Sequence, residues 1–337
     1  MDNLSIKAYG VLLPALEQLH LDEDIQRFLD HGGRSLLFGE TANEYVTGQM
    51  DPSRRKYETL ERWQVLIEDA TRRAGPLLKA ADADISAVHR LQGLTPPLPS
   101  RPQAQAMSAD ELETHCLQTA LAIKQTGVNL VLSPTADIVV GRNVWLNGRT
   151  LADDPGVAAR IVHAYVRGVR RAGLATTLKH FPGHPTLWQH PANEEATVAM
   201  SLDELRSYWA PFRAGIDAGA EAVMMGPAIF TAVQPPVAAS ISPDLISLLR
   251  DELDFHGLVI TCDLDHKATI RNGTLGDTAV AALKAGADLL LISTKAVPKI
   301  PDIVAAIVSA VQTGQLPETR LDAAVAAVLR RVDTPDL

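Results

Sequence analysis

The stretch Leu178-Lys179-His180-Phe181-Pro182-Gly183-His184-Pro185 decides how the chain is read. An apolar run from Leu174 to Leu178 leads into it and has the composition of a buried strand. The run ends in a Lys-His pair, and Pro182-Gly183 then turns the chain sharply. Polar side chains that leave a buried strand just before a loop stand where parallel α/β folds put their chemistry.

On either side, short apolar runs alternate with longer helical patterns. The spacing predicts strands over Ile6–Leu13, Ser35–Phe38, Leu77–Asp82, Val128–Leu132, Ala175–His180, Ala222–Pro227, Leu258–Cys262 and Asp288–Ile292. It predicts helices over Ala109–Thr126, Val157–Ala172, Leu202–Ala218, Pro243–Asp254 and Thr278–Ala285, with Pro301–Thr313 and Glu318–Val332 closing the fold. Gly127, Gly173, Gly219 and Gly286 each end a helix just before a strand, where a left-handed C-cap belongs. This alternation points to a (β/α)8 TIM-type barrel, read as a single domain over residues 1–337. The rival, an open doubly wound sheet, calls for a Gly-rich phosphate turn after the first strand, and the sequence has none there. The polar stretch Gly39–Tyr57 and the Pro-rich Leu94–Arg101 are expected as loops, with Arg54-Arg55-Lys56 solvated.

Composition narrows the function. Apolar residues make up 46% of the 337, ample for a core, while aromatics are only 4%. A net charge of −9 argues against a nucleic-acid partner, which needs a basic face. Two cysteines, Cys116 and Cys262, make no disulfide framework and fit a reducing compartment. Met1–Lys7 lacks a basic region followed by a long apolar one, and no run of about 18 apolar residues occurs, so the expectation is a cytoplasmic protein with no membrane span. The sequence leaves the oligomeric state open.

A barrel would gather the polar strand ends on one face. These are Asp82-Ala83-Asp84 after the third strand, Asp137, Arg142, Trp145 and Arg149 after the fourth, and Lys179-His180 after the fifth. Thr261-Cys262-Asp263-Leu264-Asp265-His266 follows on the seventh. Carboxylates, cations, imidazoles and a thiol in one pocket suit a polyhydroxylated or anionic small molecule.

Several segments, in order, resemble the family 3 glycoside hydrolases, especially the single-domain bacterial β-N-acetylglucosaminidases. Lys179-His180-Phe181-Pro182-Gly183-His184 is similar to that family's most specific motif. Phe255-His256-Gly257-Leu258-Val259-Ile260-Thr261 resembles its nucleophile strand, and Asn147-Gly148-Arg149-Thr150-Leu151-Ala152-Asp153-Asp154-Pro155 its arginine loop. Ser240-Ile241-Ser242-Pro243 resembles the lead-in to its next helix. The similarity runs from about Ile6 to Val332.

The resemblance implies a carbohydrate-like ligand held by Asp82, Arg149, Lys179 and His180, with Arg90 as a further basic contact and His184, Asp265 and His266 around them. No cofactor and no metal are expected. The catalytic positions depart from the family pattern. Cys262 stands where the family has its aspartate nucleophile, with Asp263 one place later. The family's Asp-Ser/Thr-His acid/base triplet has no counterpart in Pro185–Asn193. A nucleophile from Cys262, Asp263 or Asp265 and an acid from His190, Glu194 or Glu195 are the candidates.

Simpler roles compete at each position. Cys116 lies on an apolar helix stripe and belongs to the core, and Cys262 could also be a small buried residue. His184 could brace the loop. The His180–His184 spacing occurs in metal sites, yet Pro182-Gly183 breaks the helix such spacing uses. Lys179 could form a Schiff base or bind substrate. Trp145 and Trp188 could stack on a sugar or simply pack. Three functions therefore stand open: a diverged glycosidase acting on a glycoside such as an N-acetylhexosaminide, a different covalent chemistry through Cys262 or Lys179 in a biosynthetic pathway, and an inactive sugar- or partner-binding protein.

Overall fold

The computed structural model describes residues 2–332. Eight parallel strands form the barrel: β1 (Leu12–Leu16), β2 (Ser35–Phe38), β3 (Leu78–Ala81), β4 (Leu130–Val131), β5 (Ala175–Phe181), β6 (Ala222–Met225), β7 (Leu258–Ile260) and β8 (Leu290–Ile292). Sequential strands pair in order, and β1 returns to β8 through Leu12 opposite Leu290. The seam between β7 and β8 closes through a bridge of Ile260 to Leu289. Helices cover the outside, as the βα alternation predicts.

The barrel interior is a separate apolar cluster of alternate strand residues, among them Leu13, Leu37, Ala80, Leu130, Met224, Ile260 and Leu291. Val328 and Val332 of the final helix, Glu318–Val332, join this cluster. The larger core lies between strands and helices and carries Trp63, Tyr165, Trp209 and Phe212 at essentially no exposure. The four predicted glycine C-caps at residues 127, 173, 219 and 286 all have positive φ, between 80° and 114°.

The first predicted strand is corrected. Asn3–Gly10 is a helix, begun by Asp2, whose carboxylate accepts from the Ser5 N–H at 2.8 Å. Lys7 on its outer face pairs with Glu318 at 2.8 Å and Asp322 at 2.6 Å. The true β1 starts later and continues through Pro14, which faces Ile292 of β8 in register.

Two further segments differ. The helix expected over Leu202–Ala218 is two, Leu202–Arg206 and Ala210–Asp217, with Pro211 in the first turn of the second. Trp209 at the break donates its Nε1–H to the Pro182 carbonyl at 2.9 Å, so the interruption anchors the turn after β5. Gly39–Tyr57 is no extended loop but holds two short helices, Ala42–Thr47 and Pro52–Tyr57. Arg54 is not solvated; it clasps Glu44 and, at 3.2 Å, Glu58. A small three-stranded sheet of Thr197–Val198, Ile229–Phe230 and Val237–Ala238 joins the loops after β5 and β6.

Candidate active site

Lys179 and Asp82 meet across the barrel mouth as a buried ion pair from the ends of β5 and β3. Burial opposes the lysine charge, but Asp82, seconded by Asp84, outweighs it and raises the ammonium pKa. Lys179 is therefore a fixed cation. Arg149 reaches the same space from the loop after β4. Its Nη2 donates to the Tyr45 hydroxyl at 2.6 Å, and the guanidinium lies 4.3 Å from the Tyr45 ring centre. Its buried Nε has no partner.

His180 and His184 are both locked by Asp137. One carboxylate oxygen accepts the His180 backbone N–H and contacts its Nδ1, both at 2.8 Å. The other takes the same two groups of His184, both at 2.9 Å. A carboxylate oxygen against each Nδ1 requires Nδ1 to carry a proton. Burial is the leading effect on His180 and lowers its pKa to about 4, so the ring is neutral near pH 7. Burial pushes the Asp137 pKa upward, yet the hydrogen bonds and charge of His180 and His184 prevail and hold it below the usual carboxylate range. Trp145 packs 4.6 Å from the His180 ring and is itself buried, so it serves the site as a wall.

The end of β7 is looser. The Cys262 Sγ lies 3.8 Å from Nδ1 of His266, and Nε2 of the same ring lies 3.4 Å from Asp263 Oδ2. Burial, then the Asp263 charge, raises the Cys262 thiol pKa well above its usual value, while Lys179 and Arg149 pull it the other way. Asp263 is also raised, first by burial and then by Asp265, against the pull of His266. Asp265 accepts from the Ser293 hydroxyl at 2.6 Å, and its other oxygen is buried without a partner.

The remaining sequence candidates divide. His190 is half-buried on the loop after β5; burial, His266 and Arg149 lower its pKa, which places it within the electrostatic reach of the pocket. Glu194 and Glu195 are exposed, and Glu195 pairs with Arg271 at 3.3 Å. Arg90 is buried and committed elsewhere, to Glu58 at 2.6 Å and the Gly39 carbonyl at 2.7 Å, with its guanidinium over Trp63. His184 is sealed in the wall, and a Cβ on Gly226 would meet its ring at 2.2 Å. Trp188 is 61% exposed under Arg142.

Three groups escaped the sequence reading. Asp137 was seen only as one polar residue among several, since its double grip depends on the fold. Tyr45 and Glu40 lay in a stretch taken for loop. One Glu40 carboxylate oxygen is buried and unpartnered, and burial with the neighbouring Asp82 raises its pKa well above normal, against the pull of Arg90 and Lys179. The position of Glu40 two residues beyond the buried end of β2 was the available signal.

Among the described residues, two trios could reach one metal ion: Asp137, His180 and His184, and Cys262, Asp263 and His266. In the first, the carboxylate already engages both imidazoles through Nδ1.

Residues 36–331 match the model of the glycosyl hydrolase family 3 N-terminal domain. The chain belongs to glycosyl hydrolase family 3. A β-hexosaminidase of Stenotrophomonas maltophilia is 37% identical over 181 residues, 53% of this chain and 54% of the relative, so the match spans about half the length of each. A family 3 β-N-acetylglucosaminidase from a Paenibacillus species superposes with a TM-score of 0.85 at 26% identity, over 99% of this chain and 63% of that one. A β-N-acetylhexosaminidase of Beutenbergia cavernae shares the fold, with a TM-score of 0.80 at 23% identity over 98% of both chains. No helix among the described residues is long and apolar enough to cross a membrane.

Proposed function

We propose that this family 3 chain is a glycosidase-like enzyme that binds an N-acetylhexosaminide or a similar sugar, with non-standard catalytic groups. The observation that carries the reading is the buried Lys179–Asp82 pair beside Arg149 and His180. A fixed cation, a fixed carboxylate and a neutral imidazole in one pocket suit the hydroxyl groups of a pyranose through charge-assisted hydrogen bonds. The relatives named as β-hexosaminidases and β-N-acetylglucosaminidases support that substrate class.

The reacting end is where the chain departs from a retaining glycosidase, which places two carboxyl groups roughly 5 Å apart around the scissile bond. Cys262 and Asp263 stand at this end, and His190, whose pKa His266 helps to lower, is the acid candidate. Amine chemistry is disfavoured, because a lysine nucleophile needs a depressed pKa and Lys179 has a raised one.

A panel of aryl glycosides tests this reading. Nitrophenol release from an aryl N-acetylglucosaminide is expected, with loss of turnover in Asp263→Asn and of binding in Asp82→Asn. Thermal stabilisation by the sugar without turnover would reduce the protein to a sugar-binding one. Neither turnover nor stabilisation with any sugar sinks the proposal.

A further inference from the structure

We propose that Cys262, His266 and Asp263 form a thiol–imidazole–carboxylate relay that transfers acyl groups from a sugar-like ester or thioester held by Lys179, Arg149 and Asp82. This goes beyond the glycosidase reading and shares only its pocket.

The contacts of His266 are divided between its two ring nitrogens. One ring nitrogen of His266 faces sulfur at 3.8 Å, and the opposite nitrogen faces the carboxylate at 3.4 Å. A relay needs the division seen, with Nδ1 to accept the thiol proton and Nε2–H to be oriented by Asp263. The thiol lies within electrostatic reach of the ligand-binding charges, since Lys179 and Arg149 act on it from β5 and the β4 loop, it acts on Tyr45 from the β2 loop, and Asp82 acts on Asp263.

The placement of the base also selects the reaction. In a displacement at an anomeric carbon, the leaving oxygen departs from the face opposite sulfur, away from an imidazole that sits beside the sulfur. In acyl transfer, attack and departure occur around one tetrahedral carbon, and the base that took the thiol proton can return it to the leaving group. The steps balance. The S–H proton passes to His266 Nδ1 as Sγ bonds to the carbonyl carbon and its π electrons move to oxygen. The C–O or C–S bond to the leaving group then breaks, and that group takes the proton from Nδ1. Water next gives a proton to His266 and its oxygen to the acyl carbon, and sulfur leaves to recover the proton. Arg149, with an unpartnered Nε, supplies positive charge for the transient oxyanion.

The test uses the full chain with 4-nitrophenyl acetate and an acetylated N-acetylglucosamine as probes. Mass spectrometry of the quenched protein is expected to show one acyl group on Cys262, beside the His266 ring, and none on Cys116, which is packed in the apolar core between strands and helices. His266→Ala should slow acylation by at least about 100-fold, the usual contribution of a positioned base. Reactivity left in that variant should shift to the alkaline range where the thiol ionises unaided. Asp263→Asn should lower kcat with little change in KM, and Asp263→Glu should restore part of it. Circular dichroism and iodoacetamide titration of the unfolded thiols establish that each variant is folded and reduced.

Acylation of Cys262 at the same rate in His266→Ala overturns the relay, as does folded protein that takes up no acyl group. Stoichiometric zinc retained by the purified protein and lost in Cys262→Ser also overturns it, because the ring would then serve a metal. Glycoside turnover without acylation leaves the glycosidase reading standing and removes this one; acylation without glycoside turnover does the reverse.

Discussion

The ends of β5 and β7 lie within electrostatic reach of one another but are built on opposite principles. At β5 the polar groups are held by close partners: Lys179 has Asp82, and His180 and His184 share Asp137 through four contacts of 2.8–2.9 Å, with the buried His184 Nε2 left unpartnered. At β7 the contacts are 3.4 and 3.8 Å, and side-chain exposure is 15% for His266 and 28% for Asp263. A tightly satisfied buried network fixes position and resists protonation changes, which suits recognition. A loose, partly wet cluster leaves its protons free to move, which suits reaction.

The comparison breaks first at Asp137. Asp137→Ala strips two buried imidazoles and two backbone N–H groups of their acceptor, and a loss on the order of 3–5 kcal/mol is expected in urea unfolding. Asp137→Asn keeps one carbonyl oxygen and should cost less. Should the alanine variant be as stable as the parent, the β5 end is not the rigid half. The ion pair comes next. Lys179→Met leaves Asp82 buried and unpaired and should cost about 3 kcal/mol or more, whereas adding Asp82→Asn to it should recover much of the loss. Additive losses in the double variant would mean that the two side chains are not coupled.

This division was only half legible in the sequence. The barrel was legible because strand and helix patterns alternate and four helices end in a glycine; the first strand was placed too early, over Ile6–Leu13, where a helix precedes the strand Leu12–Leu16. Lys179 and His180 announced themselves at a strand end. Asp137 did not, because its meaning lies in reaching two residues 43 and 47 positions away. Arg90 looked available for a ligand, and only packing reveals Glu58 and Gly39 as its partners. Cys262 and His266 are four apart, yet the sequence does not say which ring nitrogen faces sulfur and which faces the carboxylate.

Proton uptake sharpens the contrast at intermediate size. Above about pH 6.5 the His180 ring is neutral in both the folded and unfolded chain. As pH falls towards about 4, the unfolded chain binds a proton that the buried ring refuses, so stability is lost across this window by on the order of 1–3 kcal/mol. His89, also lowered to about 4 by burial, acts in the same direction. Glu40 opposes them, since its raised pKa keeps the folded carboxyl protonated while the unfolded one ionises, a cost that grows as pH rises above about 4.5. Glu40→Gln should therefore raise the denaturation midpoint near neutral pH and steepen the acid loss. A midpoint in Glu40→Gln that is flat between pH 6.5 and 4 rules out a neutral, buried imidazole at β5.

The smallest effect is expected at β7 and carries the most information. Cys262→Ser and His266→Ala remove the long S···N contact, and His266→Ala and Asp263→Asn remove a partly exposed ion pair that solvent screens; each should change stability by less than about 1 kcal/mol. The backbone N–H of Cys262 keeps its bonds to the Ser240 hydroxyl at 3.1 Å and the Met225 carbonyl at 3.2 Å whatever side chain follows, so the strand end should hold. Near-parental unfolding with loss of covalent chemistry places these residues in the reaction. A loss as large as that of Asp137→Ala would instead place them in the scaffold, and the contrast between a binding half and a reacting half would disappear.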